Sequence, residues 1–405
     1  MRTEKTPPSA ITAQTRPRAL WADTAKGACI VLVVLWHVVM KDYLQVDWHI
    51  GIPLPGAWGT LGEQLLPLRM PLFFTISGVF ATTALARTWR QTARSRVAKF
   101  LYLYAAWLLI HTVLLSAVPD FATARADSAL ALLEQLTITP SNLWYLYALA
   151  AYFVIAKALH RVPRTVVLTA AAALSAITAA GVLATPGDRG GLYQNLVFFL
   201  AGAYFRPVIE RWAETVTSRR IVLSFLAYAT ALAAMAAAGA QRWPGVWLAV
   251  GLVAVAFGVT AAARLSRSPA IGGPLAALGR RTLPIYVIHM PVLALLHLAL
   301  HDPISNLGFT GQIIAALCYP VVLSAVVIAL CLLIHWVLLG LGASWLFDLP
   351  RRRAGAGLAP AGPTQIAEAG PETALSASPM PESERPRPSE VGSRGGAWVH
   401  RGPKR

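Results

Sequence analysis

Ten apolar stretches divide this chain and leave it few ways to fold. They are Ala22–Val39, Leu65–Leu85, Phe100–Val118, Asn142–Leu159, Thr165–Ala184, Leu192–Phe205, Ile221–Ala240, Val246–Ala263, Leu283–Leu300 and Ile313–Leu339. A helix needs about 20 mostly apolar residues to cross the hydrocarbon core of a bilayer, and most of these runs reach that length. The sixth is short for a span, and the last is long and carries Pro320. The runs are continuous rather than alternating, which argues against a closed β-barrel. With 56% hydrophobic and only 13% charged residues, a soluble chain of 405 residues would lack the polar surface to cover its core. The expected fold is therefore all-α: a polytopic transmembrane helical bundle of about ten spans.

The formal charge of +17 would suggest nucleic acid in a soluble protein. Here its distribution suggests topology instead. With a cytoplasmic N-terminus, the loops on that side carry 24 Lys and Arg, and the opposite loops carry only Lys41, Arg125, Arg189 and Arg242. This is the positive-inside pattern. It predicts a multi-pass protein of the cell (inner or plasma) membrane with both termini cytoplasmic, in contact with membrane lipids and with no nucleic-acid partner. The first twenty residues contain no apolar core, so no cleavable signal peptide is expected. Residues 1–19 and 346–405 are polar or rich in Pro, Ala, Ser, Glu and Gly, and are expected to be disordered cytoplasmic segments flanking a membrane domain at 20–345. Cys29, Cys318 and Cys331 all fall inside predicted spans and suit packing rather than disulfides or metal.

Ionisable residues inside spans cost about 2.5–3.5 kcal/mol on insertion scales and usually face a cavity or a partner. In WADTAKGACIVLVVLWHVV, Lys26 and His37 are separated by three turns plus about 20°, so they share a helix face roughly 16 Å apart. Two readings stand. His37 hydrogen-bonds a neighbouring helix while Lys26 snorkels to headgroups, or the pair marks a route across the membrane with His37 as its reactive group. In LRMPLFFTISGVFA, Arg69 either pairs with lipid phosphate or stabilises negative charge near His37. Pro71, Ser77 and Gly78 disturb the backbone of the same span. The loop from Arg87 to Lys99 holds five basic residues and serves either as membrane anchor or as a dock for a phosphorylated ligand, with Arg96 and Lys99 acting together. Asn142, Trp144 and Tyr145 open the fourth run as an interfacial belt or as a surface for a sugar ring, and His289 lies about two turns into the ninth. His297 and His301 are four residues apart but lack the further ligands a metal requires, so no metal is expected.

Taken in order, these stretches resemble the acyltransferase-3 family of integral membrane acyltransferases, in its fucose 4-O-acetylase-like branch. The resemblance runs over Leu20–Leu339. It rests on D-x-x-K-G with a basic residue eleven positions before His (Asp23, Lys26, Gly27, His37), on R-x-P-L-F-F-x-x-S-G (Arg69 to Gly78), on an R-x-x-R-like element (Arg96, Lys99), on L-W-Y-L (Leu143–Leu146), and on a G-R-x-S-L-x-I-Y-x-x-H-like pattern ending at His289. The chain departs from it in two places: Lys99 replaces an arginine, losing the bidentate fork, and Thr282-Leu283-Pro284 replaces the Ser-Leu pattern.

The resemblance implies transfer of an acyl group, commonly acetyl, from a cytoplasmic acyl-CoA co-substrate to a hydroxyl of an extracytoplasmic sugar or glycan. His37 and Arg69 would be catalytic, and Lys26, Arg96 and Lys99 would hold the acyl-CoA. Asn142, Trp144, Tyr145 and His289 would meet the acceptor, and Asp23, Ser77 and Gly78 would support the first two spans. The competing class is a transporter or flippase for a glycan or lipid-linked sugar, which also suits many spans and intramembrane histidines. Against it stand the lack of an inverted repeat and the scarcity of membrane carboxylates.

Overall fold

The computed structural model describes residues 19–350, and among them all regular structure is helical. The expected disorder at 1–19 and 346–405 concerns residues that lie almost entirely outside this range. The helices are α1 (Leu20–Lys41), α2 (Leu54–Gln64), α3 (Leu66–Leu85), α4 (Trp89–Thr92), α5 (Ala98–Ser116), α6 (Ala129–Thr137), α7 (Trp144–Ala158) and α8 (Arg164–Ala179). They continue as α9 (Gly190–Gln194), α10 (Leu196–Tyr204), α11 (Arg206–Glu214), α12 (Ser218–Ala237), α13 (Val246–Leu265), α14 (Pro269–Arg280), α15 (Thr282–Ser305) and α16 (Phe309–Gly340).

Each of the ten apolar runs is helical. Among the described residues, 7 helical segments are long and apolar enough to cross a membrane: those containing α1, α3, α5, α12, α13, α15 and α16. The other three runs form shorter helices. α7 has 15 residues and α8 has 16. The sixth run is broken at Asn195 into α9 and α10, and Asn195 Nδ2 turns back to Gly191 O at 2.9 Å. At about 1.5 Å per residue these pieces are shorter than the usual span; α7 and α10 are largely buried in the bundle, while α8 buries only the face bearing Val167, Ala171, Ser175 and Thr178. The chain stays packed slightly beyond residue 345: Leu346 and Phe347 are buried, and Trp107 Nε1 donates to Leu346 O at 2.7 Å.

α1 is the hub, touching α3, α13, α14, α15 and α16. Without a hydrophobic driving force between helices in lipid, close backbone approach supplies much of the attraction, and small residues permit it. On the α1–α14 contact, a Cβ at Gly27 would collide with the carbonyl of Leu275, and one at Gly279 with the carbonyl of Asp23. α3 and α10 meet in the same way. A Cβ at Gly78 would strike Phe199 O, and one at Gly202 would strike Thr75 O. α1 and α3 also touch each other and both pack on α13, and together they carry Asp23, Lys26, His37, Arg69, Ser77 and Gly78.

Prolines inside these helices leave carbonyls without their usual donor four residues on, and at Pro291 and Pro320 the fold supplies replacements. Pro291 leaves Val287 O, which accepts from His111 Nε2 at 2.8 Å. Pro320 leaves Ala316 O, which accepts from Tyr43 Oη at 2.8 Å and from Trp58 Nε1 at 3.1 Å. The long apolar run thus stays one 32-residue helix through its proline. Trp58, which would suit an interfacial anchor, turns its indole N–H into the bundle instead.

Candidate active site

His37 sits on the eighteenth residue of α1, and its Nδ1 lies 2.9 Å from Val33 O, one turn back. A carbonyl only accepts, so Nδ1 carries the proton and Nε2 keeps the lone pair. The same Nδ1 lies 3.3 Å from His289 Nε2, and the two rings are tilted with centroids 4.9 Å apart. His37 is partly exposed, and it lines a cavity of 380 Å³ together with Trp36, Arg69, Phe73, Asn142 and Tyr145.

Arg69 is only 4% exposed. Its guanidinium lies 4.5 Å from the Trp36 ring centroid, and Trp36 meets His37 edge-on at 4.8 Å. Its hydrogen bond to the described residues is a long one, Nη1 to Gly62 O at 3.4 Å. A cation so buried is held by an aromatic face, and most of its donor capacity remains for whatever fills the cavity.

The opposite end of the site is basic. A cleft of 910 Å³ is lined by Arg87, Arg90, Arg94, Arg96 and Lys99, with Asp348 at its rim. Arg96 lies in a π-helical turn, Ala93–Val97, between α4 and α5. Such turns place side chains that a regular helix would not. Among the described residues Arg96 Nε is buried without a hydrogen-bond partner, and Lys99 Nζ pairs with Asp348 at 2.8 Å. Arg96 and Lys99 also line a second, inner cavity of 440 Å³, and Lys26 joins them there. Lys26 Nζ is 3.0 Å from Asp23, whose carboxylate is 1% exposed. This pair sets the ammonium 4.8 Å over the Phe80 ring.

Three aromatic residues, Phe73, Tyr145 and Tyr286, line both the inner cavity and the His37 cavity. They form a thin partition between the two. Phe73 and Tyr145 stack with an interplanar angle of 2° at 4.7 Å, and Tyr145 meets Tyr286 edge-on at 5.5 Å. Ser77 Oγ and Tyr145 Oη are 2.7 Å apart, which pins the phenol. Tyr286 Oη receives the Tyr145 N–H at 3.1 Å and donates to Asn142 O at 3.0 Å. One hydroxyl therefore satisfies a donor at the start of α7 that the helix itself cannot.

The fold thus gathers His37, Arg69, Asn142, Trp144 and Tyr145 around one cavity, and Lys26, Arg96 and Lys99 around the next. Asp23 orients Lys26, Ser77 holds the partition, and Gly78 lets α3 approach α10. His289, expected to meet the acceptor, is not among the residues lining these cavities: it is 2% exposed and sits behind His37. Asn142 spends its amide on Thr123 Oγ1 at 2.6 Å and Ala124 O at 3.1 Å. Gln194, Asn195, Arg189 and Trp247 also line the His37 cavity, and sequence reading passed over them. Two polar amides at the head of an unusually short apolar run were the available signal. His297, weighed as a metal ligand, instead bonds Asp42 Oδ1 at 2.8 Å.

A family model described as an acyltransferase domain, acyltransferase-3, matches residues 19–347. Inner membrane protein YcfT of Escherichia coli (strain K12) is 27% identical over 226 residues, 51% of this chain and 62% of the relative. Nodulation protein NolL of Sinorhizobium fredii (strain NBRC 101917 / NGR234) is 27% identical over 220 residues, 53% of this chain and 56% of the relative. The chain spans less than two thirds of the length of these curated relatives. No solved structure matches it. With about four fifths of its length matched, most of it in apolar helices, the chain is a multi-pass membrane protein and belongs to the acyltransferase-3 family.

Proposed function

We propose that this protein moves an acyl group, acetyl in the simplest case, from an acyl-CoA at its basic end to a hydroxyl of a sugar or glycan in the His37 cavity. In this reading the basic end and both termini face the cytoplasm, and the acceptor arrives from the other side. One observation carries it. Three cavities lie in series, the first two sharing Arg96 and Lys99 and the last two sharing Phe73, Tyr145 and Tyr286. The buried, unpartnered Arg96 Nε fits a phosphate-bearing ligand. Arg96, Lys99 and Lys26 would hold the phosphates, the inner cavity would take the slender arm, and the thioester would reach the aromatic partition.

His37 Nε2 takes the acceptor's hydroxyl proton as its oxygen bonds to the thioester carbon. Arg69 offsets the charge gathering on the carbonyl oxygen. As the carbon–sulfur bond breaks, His37 returns the proton to the departing sulfur, leaving an ester and a free thiol. The Trp36, Trp144 and Trp247 rings with the Gln194 and Asn195 amides suit a sugar's mixed apolar and hydroxyl faces. Phe73, Tyr145 and Tyr286 line both cavities, so in this reading the acyl end passes between them.

The donor assignment is tested by Arg96→Ala combined with Lys99→Ala. A hydrogen bond to a charged group is worth about 1.5–3 kcal/mol, reduced here because Lys99 is partly exposed and already paired with Asp348. The double variant is expected to bind acetyl-CoA at least ~10-fold more weakly, measured by titration calorimetry on the full chain in nanodiscs. Unchanged affinity would remove the basic cleft from the reaction.

A further inference from the structure

We propose that His289 is a positioning residue that holds the His37 ring with its lone pair turned to the acceptor cavity. The inference rests on the reading of His37 as the general base. His289 Nδ1 lies 2.7 Å from Tyr286 O, so it carries the proton and donates to that carbonyl. The other nitrogen, Nε2, is then an acceptor, and it sits 3.3 Å from His37 Nδ1. His37 Nδ1–H is therefore shared between Val33 O and His289 Nε2, two groups that can only accept in this arrangement.

Two consequences follow for the chemistry. The His37 tautomer is fixed, with Nε2 making no hydrogen bond to the described residues. When His37 takes a proton, its Nδ1–H becomes a stronger donor toward acceptors already in place, so the ring needs no reorganisation at that moment. A carboxylate commonly serves a reactive imidazole in this way. Here a neutral imidazole does it, with its own orientation set by one turn of α15 and its burial at 2% exposure. Tyr286, three residues earlier, caps α7 and lines the partition, so the same turn of α15 sets both the base and the wall in front of it.

The test compares two amide variants of different reach in membranes carrying the full chain, given [¹⁴C]acetyl-CoA, with label counted in the membrane glycan. The side chain of H289Q places its amide oxygen near the former Nε2 and keeps an acceptor for His37. That of H289N reaches only the former Nδ1, preserving the bond to Tyr286 O but not the one to His37. We expect H289N to lower kcat about 10- to 100-fold with the KM for acetyl-CoA unchanged, and H289Q to recover most of the loss. Equal rates for the two variants, or an H289N enzyme as fast as the parent, would overturn the proposal. If H37A itself keeps full transfer, the base assignment fails and this inference with it. If H37A is inactive while H289N is unimpaired, only the inference falls.

Discussion

Alanine at position 37 is expected to cut acyl transfer at least ~100-fold while acetyl-CoA binding stays within about 2-fold of the parent. General-base assistance is worth roughly 10²–10⁴ in rate, and a sugar hydroxyl has little nucleophilicity without it. Donor affinity should persist because His37 lines neither the basic cleft nor the inner cavity. The Phe73–Tyr145–Tyr286 partition stands between that donor end and the imidazole. The measurement is label from [¹⁴C]acetyl-CoA appearing in membrane glycan, alongside calorimetric titration of acetyl-CoA on the same variant. H37Q is the informative companion. Its amide fills similar space and can hydrogen-bond, but it cannot accept and release a proton at neutral pH, so it should be as slow as H37A. Wild-type transfer by either variant would leave this cavity without its reactive group, and a matching loss of donor affinity would make His37 a binding residue instead.

The reach of sequence reading differed along the chain for physical reasons. Apolar runs report helices because lipid and helix period both act locally, and every one of the ten runs is helical. Span number was less legible, since whether a helix crosses or stops inside the bundle depends on partners far away. α9 and α10 meet at Asn195, whose amide turns back to Gly191 O, a detail no hydropathy window sees. Lys26 and His37 share a face by helical geometry alone, so their alignment could be read directly. The shared partition could not, because Phe73, Tyr145 and Tyr286 come from α3, α7 and α15 and meet only after packing. His289 shows the same limit from the other side. Its place in a motif suggested contact with a ligand, but its burial and its bonds to Tyr286 O and His37 depend on how α15 lies against α1.

Valine at Gly78 or Gly202 is expected to remove most folded protein from the membrane, a larger effect than any cavity-lining substitution should have on stability. In each case even a Cβ atom meets a backbone carbonyl, Phe199 O or Thr75 O, rather than a side chain that could swing away. Relief requires α3 and α10 to separate, and packing inside a bundle transmits such strain because it is close to crystal density. Overpacking ordinarily costs about 1–3 kcal/mol. A reciprocal collision between backbones should exceed that range, and alanine at either position should already lower the thermal midpoint in detergent. Gly273 on α14 is the internal control. A Cβ there meets nothing within 4 Å, so G273A should hold or raise the midpoint, as helix propensity favours alanine by roughly 1 kcal/mol. Fluorescence-detected size exclusion with a heating series reads all of these variants. The crossing also links stability to chemistry, since Arg69, Phe73 and Ser77 ride on α3 within about nine residues of Gly78. Any surviving G78A protein should therefore transfer acyl groups more slowly than its folded fraction alone would explain. Specific activity per folded molecule equal to the parent's would mean that α3 tolerates the displacement and that the site is not held by this contact.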